Sequence, residues 1–379
     1  MKFGTDGVRG VAYAELTTGF AEQLARAAAV ELLLPNRTVV LGGDTRESTP
    51  DFVAALSDGF RSEAIDVVDL GVVPTPMVAF EAQRRDAIGA MVSASHNPYA
   101  DNGIKLFAHG GAKLRDEVQA RIEGWLERDE EPALADRRGT ITSESDHSRY
   151  IGHVLSVLEG RRLDGLSVVL DCANGAAHAL APEVFRAAGA DVHVIADRPD
   201  GRNINEGCGA TDTTGLVSEV LRADADVGIA LDGDADRLIA VDHDGRVVDG
   251  DHVIAICAED LRDRGLLRHD TVVVTVMANL GFKLAMDAAG IEMIETRVGD
   301  PHVQQHLRQR RHGCIGNGCQ TLPLALDDVE QRQRGQDAVA GGGAVGEDHV
   351  AALLPAQRVA ALVEGLEDVA VAHLRLDHV

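Results

Sequence analysis

The sequence lacks any long apolar run. Over its 379 residues, no uninterrupted apolar stretch approaches the length of about 18 residues that a membrane-spanning helix requires. The N-terminal segment MKFGTDGVRG also has no apolar core behind its single lysine, as a secretory signal would. These absences predict a soluble, cytoplasmic protein with no membrane partner.

Basic residues are scarce. The chain has 36 Lys and Arg against 61 Asp and Glu, which gives a formal net charge of −25. A nucleic acid or an anionic lipid surface would on average be repelled by this charge, so no nucleic-acid partner is expected. Small anionic ligands remain open where basic residues are concentrated locally.

Cysteine is also infrequent, and its pattern excludes a disulfide framework. The 5 cysteines are odd in number and stand at unrelated spacings, so we expect reduced thiols and no zinc site. They are Cys172, Cys208, Cys257, Cys314 and Cys319.

Short apolar runs alternate with stretches of helical periodicity, which is typical of a layered α/β fold. One unit recurs along the chain, in which a β-branched run is followed by a polar turn and a helical pattern. Its strands are residues 38–43 (TVVLGG), 167–172 (SVVLDC) and 271–276 (TVVVTV). The sequence therefore predicts three related strand–loop–helix α/β domains.

Two segments indicate domain boundaries. Residues 127–147 are charged and are interrupted by Pro132 and Gly139. A second boundary is expected near Asp249, where residues 238–248 have the pattern of a closing hairpin. The predicted segments are residues 1–140, residues 147–249, residues 250–300 as the start of a third domain, and residues 301–379 as a tail.

The tail differs in composition from the rest of the chain. Residues 301–379 contain no Phe, Trp, Tyr or Lys, so they have little large apolar surface to bury. We expect this tail to be loosely packed.

The segment 87–105 (AIGAMVSASHNPYADNGIK) has an apolar strand that ends in a Ser-His-Asn-Pro turn. The carboxyl ends of strands in α/β sheets are where reacting groups are usually displayed. Ser95 and His96 do not fit a hydrolase nucleophile elbow, because the Gly-x-Ser-x-Gly pattern is absent. A structural turn remains an alternative when the segment is considered alone.

The segment 227–237 (VGIALDGDADR) has a buried-type strand that leads into Asp232, Asp234 and Asp236. Three carboxylates in one loop repel one another unless a cation or protons neutralise them, so the spacing favours a divalent metal. An EF-hand is excluded, because Arg237 and His243 occupy the positions that need Gly and Glu. A phosphatase with Asp232 as nucleophile and Asp234 as acid, or an acidic surface turn, remains open from the local pattern.

Together the two segments resemble a known superfamily. Motifs in the order and spacing of the α-D-phosphohexomutases occur at residues 3–10 (FGTDGVRG), 93–98 (SASHNP), 101–105 (DNGIK), 232–237 (DGDADR) and 275–281 (TVMANLG). Within it, residues 203–209 (NINEGCG) and 296–300 (TRVGD) are similar to the bacterial phosphoglucosamine mutase branch. The resemblance covers about residues 1–300.

The resemblance implies a phosphoserine and a magnesium site. Ser95 matches the serine that carries the phosphoryl group, and one of its phosphate oxygens would bind Mg²⁺ together with Asp232, Asp234 and Asp236.

Three basic residues are matched as well. Arg9 and Arg237 match cations around the phosphate, and Lys105 matches a general acid/base or phosphate ligand. His96 is expected to support the loop rather than to transfer protons.

The implied reaction interconverts glucosamine 6-phosphate and glucosamine 1-phosphate through phosphoserine and a 1,6-bisphosphate intermediate. A small phosphosugar is the expected partner, and the oligomeric state stays open. A catalytically impaired remnant that binds Mg²⁺ and phosphosugar, or a Mg²⁺-dependent phosphatase, remains an alternative.

The C-terminal part departs from the phosphohexomutase pattern. The Gly-Glu-Gln-Ser-Gly-His sugar loop and the Arg-Pro-Ser-Gly-Thr phosphate loop do not occur, and residues 313–320 read GCIGNGCQ. Pro301 stands where an Arg is typical. We therefore expect the usual fourth domain to be absent, and we interpret the change as a reading-frame shift or truncation near residues 301–320.

Overall fold

The computed structural model describes residues 2–298, apart from residues 5, 6, 33–35, 129–134 and 136, together with Val303 and His306. The tail predicted to be loosely packed, residues 301–379, lies outside the described residues except at those two positions. Cys314 and Cys319 also lie outside the described residues. The described elements form three α/β units, each with its own sheet. The three-unit α/β fold is confirmed, whereas the domain limits stay a prediction.

The first unit alternates strands and helices. Its elements are β1 (Val8–Val11), α1 (Thr18–Glu31), β2 (Thr38–Gly43), α2 (Thr49–Ser62), β3 (Asp66–Val72), α3 (Thr75–Arg84), β4 (Ile88–Val92), β5 (Asp101–Phe107), α4 (Asp116–Leu126) and β6 (Ile141–Ser143). Its strands lie in the order β1-β5-β4-β2-β3-β6. β2 is parallel to β3 and β4, and Gly43 pairs with Val92, so the carboxyl ends of β2 and β4 lie side by side.

The second unit is a mixed sheet of similar design. Its elements are α5 (Ser148–Ser156), β7 (Ser167–Asp171), α6 (Leu180–Ala188), β8 (Asp191–Ile195), α7 (Thr214–Ala223), β9 (Val227–Leu231), β10 (Leu238–Asp242) and β11 (Val247–Val248). Its strands lie in the order β11-β10-β9-β7-β8, with β7 parallel to β8 and β9. The predicted hairpin is present as the antiparallel pair β10 and β11.

An apolar cluster joins the first two units. Tyr150 and Val154 of α5 are buried in the same cluster as Met77 of α3 and as Leu180 and Val184 of α6. Burying a Val, Leu or Met side chain contributes about 1.5–3 kcal/mol to the free energy of folding. This shared core therefore fixes the first sheet against the second.

The third unit is smaller in the part that the structure describes. Its elements are α8 (Gly250–Asp263), β12 (Thr271–Thr275), α9 (Leu280–Ala289) and β13 (Glu292–Thr296), with β12 parallel to β13. Two side chains cap its helices: Asp249 accepts the N–H of His252 at 3.0 Å, and Asn279 accepts that of Phe282 at 2.8 Å. Among the described helices, none combines the length and the apolar character that crossing a membrane needs.

Candidate active site and metal centre

The turn after β4 carries Ser95. This residue has a φ of 53°, in the left-handed region that few non-glycine residues adopt. Its N–H donates to Ser93 Oγ at 2.9 Å, so the first serine of the Ser-Ala-Ser pattern supports the conformation of the second. Ser95 is fully buried. The backbone of the turn is therefore fixed by contacts within the protein.

The loop after β9 carries the three aspartates. Asp232 Oδ1 accepts the N–H groups of Asp236 and Arg237, each at 3.1 Å, which wraps the loop around its first residue. One oxygen from each of Asp232, Asp234 and Asp236 lies within 4.8 Å of the others, and all three residues are buried. The loop thus concentrates negative charge in a small volume away from water.

Ser95 and the aspartate loop meet in space although 137 residues separate Ser95 from Asp232. Ser95 Oγ donates to Asp232 Oδ2 at 2.5 Å. Gly233 permits this approach, because a Cβ at that position would lie 2.5 Å from the carbonyl oxygen of Ser95. Burial, followed by the charges of Asp236 and Asp234, raises the pKa of Asp232 well above its ordinary value.

Lys105 of β5 neutralises part of this charge. Its Nζ donates to Asp234 Oδ2 at 2.5 Å and to Asp236 Oδ2 at 2.6 Å. Burial opposes the charged form of Lys105, but the two carboxylates outweigh it and raise the pKa of the ammonium. Burial likewise opposes ionisation of Asp234, yet the charge of Lys105 and the hydrogen bonds from Lys105 and Thr75 lower the pKa of this carboxyl.

The donor set fits a hard divalent cation. Asp234 Oδ1 and Asp236 Oδ1 are buried and accept no hydrogen bond from any described residue. A buried carboxylate oxygen that accepts no hydrogen bond is costly unless a cation lies beside it, and Arg237 Nε, 3.8 Å from Asp236 Oδ1, supplies only part of that charge. Carboxylate oxygens are the ligands that Mg²⁺ and Ca²⁺ prefer. The cluster of Asp232, Asp234 and Asp236 can therefore hold a divalent metal.

Arg9, Arg237 and His96 surround the same groups. Arg237 Nη1 lies 3.3 Å from His96 Nδ1, and Ser95 Oγ lies at the same distance from that ring nitrogen. Burial, followed by the charges of Arg237 and Arg9, lowers the pKa of His96. Arg9, on β1, also contributes to lowering the pKa of Asp234. The structure thus brings every site residue named from the sequence to one place.

Several residues in this site were not identified from the sequence. Thr75 Oγ1 donates to Asp234 Oδ2 at 2.5 Å, and Arg46, paired with Asp44, donates to the carbonyl oxygen of Ser95 at 3.2 Å. Asn205 Nδ2 donates to the same carbonyl at 2.9 Å. Two sequence signals could have identified Arg46 and Asn205. One is the charged segment Asp44-Thr45-Arg46 directly after β2, and the other is residues 203–209, which carried the family resemblance without an assigned role.

A cavity of about 480 Å³ opens beside these groups. His96, Asp232, Asp236 and Arg237 form a polar part of its wall. Much of the remaining wall is apolar and comes from the second and third units, including Leu180, Phe185, Leu238, Ile254 and Val298. A cavity of this size suits a small-molecule ligand, which would meet the polar groups on one side.

Comparison with known proteins identifies related sequences along most of the chain. Residues 1–133, 148–245 and 249–318 match the models of phosphoglucomutase/phosphomannomutase alpha/beta/alpha domains I, II and III. A phosphoglucosamine mutase of Thermobifida fusca is 52% identical over 315 residues, which are 81% of this chain and 70% of that protein. The phosphoglucosamine mutase of Streptomyces avermitilis is 43% identical over 390 residues, covering 100% of this chain and 83% of that protein.

Solved structures give the same result for the fold. The crystal structure of a phosphoglucomutase/phosphomannomutase family protein from Burkholderia thailandensis superposes with a TM-score of 0.73 at 26% identity, covering 83% of this chain and 70% of that chain. An N-acetylphosphoglucosamine mutase from Aspergillus fumigatus, solved with GlcNAc-6P and magnesium, superposes with a TM-score of 0.56 at 17% identity, covering 97% of this chain and 76% of that chain.

Proposed function

This chain belongs to the bacterial phosphoglucosamine mutases of the phosphohexomutase superfamily and is a phosphosugar mutase, and from that premise we propose that it interconverts glucosamine 6-phosphate and glucosamine 1-phosphate. We propose Ser95 as the carrier of the phosphoryl group. The observation that carries this proposal is the 2.5 Å hydrogen bond from Ser95 Oγ to Asp232 Oδ2, beside two further buried carboxylates.

The reaction consists of two phosphoryl transfers at Ser95. In the first, the free hydroxyl oxygen of the sugar phosphate bonds to the phosphorus of phosphoserine, the bond from phosphorus to Ser95 Oγ breaks, and the hydroxyl proton ends on Oγ. The product is glucosamine 1,6-bisphosphate, which turns over in the cavity. Ser95 Oγ then bonds to the phosphorus at the other end, and its proton passes to the sugar oxygen that leaves.

The proposed metal is Mg²⁺, which Asp232, Asp234, Asp236 and one oxygen of the phosphoserine would hold. The buried Oδ1 atoms of Asp234 and Asp236, which accept no hydrogen bond from a described residue, support this assignment. When bound, Mg²⁺ supplies positive charge that stabilises the phosphoryl group during transfer.

The basic side chains are proposed to bind and orient the phosphate. Arg9 and Arg237 offer guanidinium donors, whose planar geometry matches phosphate oxygens. The raised pKa of Lys105 keeps its ammonium charged and makes it a weak acid, which suits a phosphate ligand better than a proton donor or a base. His96 contacts both Ser95 and Arg237, so we assign it to holding the turn.

The test uses purified protein with glucosamine 6-phosphate, Mg²⁺ and a catalytic amount of glucosamine 1,6-bisphosphate, followed by phosphorus NMR. Glucosamine 1-phosphate is the expected product. Intact-mass measurement after treatment with the bisphosphate should find an addition of about 80 Da, for one phosphoryl group. Ser95→Ala should abolish both signals, whereas Ser156→Ala, at the end of α5, should retain them.

The remaining outcomes would contradict the proposal in distinct ways. Release of inorganic phosphate without the 1-phosphate would indicate a phosphatase in which water accepts the phosphoryl group. A protein that binds Mg²⁺ but makes neither product would be an impaired remnant. A mass addition that persists in Ser95→Ala would place the phosphoryl group on another residue.

A further inference from the structure

Two side chains from different units hold the carbonyl oxygens of the Ser95 turn. Arg46 Nη2 donates to the carbonyl oxygens of Ser95 at 3.2 Å and of Asn97 at 2.5 Å. Asn205 Nδ2 donates to the same two oxygens, at 2.9 Å and 3.2 Å. Each carbonyl thus accepts from both side chains, and we call Arg46 and Asn205 the carbonyl clamp.

Arg46 is fixed within the first unit. It is buried and forms an ion pair with buried Asp44, which also accepts the hydroxyl of Thr49 at 2.8 Å. The N–H of Arg46 donates to Asp44 Oδ1 at 3.0 Å. Because Asp44, directly after β2, holds the guanidinium of Arg46, its N–H donors point in a fixed direction toward the Ser95 turn.

Asn205 reaches the turn from the second unit. Its own φ is 58°, and its N–H donates to the carbonyl oxygen of Ala173 at 2.9 Å. Asp171 ties the surrounding loops together by accepting the N–H groups of Ala173 and Gly209, at 2.9 Å and 2.8 Å. Gly233 leaves the space for this contact, since a Cβ there would lie 2.8 Å from Asn205 Nδ2.

The clamp acts on the part of the turn that sets the direction of Ser95 Oγ. The left-handed backbone of Ser95 is an unfavourable conformation for a residue with a Cβ, so it persists only where surrounding contacts hold it. Releasing the carbonyl oxygens would let the turn relax and move Oγ away from Asp232. A displacement of about 1 Å at a reacting atom can lower a rate by about 100-fold.

We infer that Asn205 and Arg46 are positioning residues for phosphoryl transfer, and that Asn205 makes the placement of Ser95 depend on contact between the first two units. This inference rests on the proposed function of Ser95. Neither side chain contacts the reacting atoms. They act by fixing where Ser95 Oγ lies relative to the aspartate loop.

The test compares Asn205→Ala and Asn205→Asp with wild type. Asp keeps the shape of Asn but cannot donate to a carbonyl oxygen, so both variants should lower kcat by about 10- to 100-fold. KM should stay within about threefold, because the phosphate-binding groups are unchanged. Arg46→Lys keeps the positive charge but loses the planar guanidinium that donates to both carbonyl oxygens. It should therefore lower kcat in the same way.

The matched control is Arg202→Gln. Arg202 lies in the same loop as Asn205 and also contacts the first unit, through an exposed ion pair with Glu47 at 2.7 Å. It does not touch the Ser95 turn. This control should keep the wild-type kcat, and all variants should be checked for a melting temperature within about 2 °C of wild type. A kcat equal to wild type in Asn205→Asp would overturn the inference.

Hydrogen exchange separates this inference from the proposed function. The N–H groups of Ser95 and Asn97 are hydrogen-bonded within the turn, to Ser93 Oγ and the carbonyl oxygen of Ala94. Without any substrate, Asn205→Ala should exchange faster at these amides and Arg202→Gln should not. If wild type has no mutase activity, the proposed function fails, and unchanged exchange in Asn205→Ala would independently refute the clamp.

Discussion

The ammonium of Lys105 lies 2.5 Å from a carboxylate oxygen of Asp234, although 129 residues separate the two in sequence. Both side chains are almost completely buried, and Lys105 also donates to Asp236. One ammonium therefore balances part of the charge of three buried carboxylates. Because a buried ion needs a partner, this contact links the stability of the protein to the candidate metal site.

Lys105→Met should destabilise the metal-free protein. Removing one partner of a buried ion pair typically costs about 3–5 kcal/mol, because the remaining charges are left uncompensated. Denaturant unfolding in EDTA measures this loss. Lys283→Met is the matched control, since Lys283 forms a more exposed ion pair with Glu295 at 2.9 Å and should cost at most about 1 kcal/mol.

Added Mg²⁺ provides a second comparison between Lys105→Met and wild type. A cation bound by the aspartates replaces the missing ammonium charge, so added Mg²⁺ should raise the unfolding free energy of Lys105→Met more than that of wild type. Equal losses in the Lys105 and Lys283 variants, or equal recovery with Mg²⁺, would show that Lys105 does not compensate the aspartate charge.

Asp234→Asn should weaken Mg²⁺ binding by at least about tenfold, because affinity for hard cations depends on the number of charged ligands. Isothermal titration calorimetry measures the dissociation constant directly. Asp287→Asn provides the control, since Asp287 lies on α9, outside the aspartate cluster, and its loss also changes the net charge by one. Unchanged affinity in Asp234→Asn would exclude this carboxylate as a ligand.

Gly233→Ala should damage the site through backbone crowding alone. The added Cβ would meet the carbonyl oxygen of Ser95 at 2.5 Å and Asn205 Nδ2 at 2.8 Å. Relieving such overlap in a packed site costs about 1–3 kcal/mol and should separate Ser95 from Asp232. Reduced kcat together with a lower unfolding free energy is therefore expected.

The control for this substitution is Gly152→Ala. Gly152 lies within α5, and a Cβ there meets nothing within 4 Å. Ala is the better helix former by about 0.8–1.0 kcal/mol, so this variant should be slightly more stable with unchanged kcat. If Gly233→Ala behaves like Gly152→Ala, the loops around Ser95 are not in close contact.

The strands and the acidic loop were predictable because their signals are local. β2, β7 and β12 are β-branched runs followed by polar turns, and each lies within its predicted range. Asp232, Asp234 and Asp236 stand at alternate positions in one loop, so their mutual repulsion follows from spacing alone. Such patterns depend only on neighbouring residues.

The supporting contacts of the site were not predictable from local patterns. Asn205 reaches Ser95 across 110 residues and Thr75 reaches Asp234 across 159, and no periodicity encodes such a pairing. Asn and Thr are also ordinary turn and helix-start residues, so their types did not distinguish them. Only the packing of the first unit against the second brings them to the site.

The buried thiol of Cys208 allows a test of the packing around it in the second unit. Burial, with a further contribution from the charge of Asp171, raises the pKa of Cys208 to about 12. Only the thiolate reacts readily with iodoacetamide, so at pH 8 Cys208 should be alkylated at least about ten times more slowly in the folded protein than in urea. Peptide mass spectrometry after timed labelling measures both rates.

The raised pKa of Cys208 also predicts that the protein loses stability at alkaline pH. An unfolded chain releases the Cys208 proton near its ordinary pKa of 9.0, whereas the folded protein retains it up to about 12. Between these values the unfolded state binds fewer protons, so the contribution of this thiol to stability falls as pH rises. The Cys208→Ala variant lacks this thiol. The unfolding free energy of the variant should therefore decline less steeply above pH 9 than that of wild type. Parallel curves for the two proteins would mean that the thiol titrates alike in both states, and hence that the loop from Asn203 to Gly209 does not bury it.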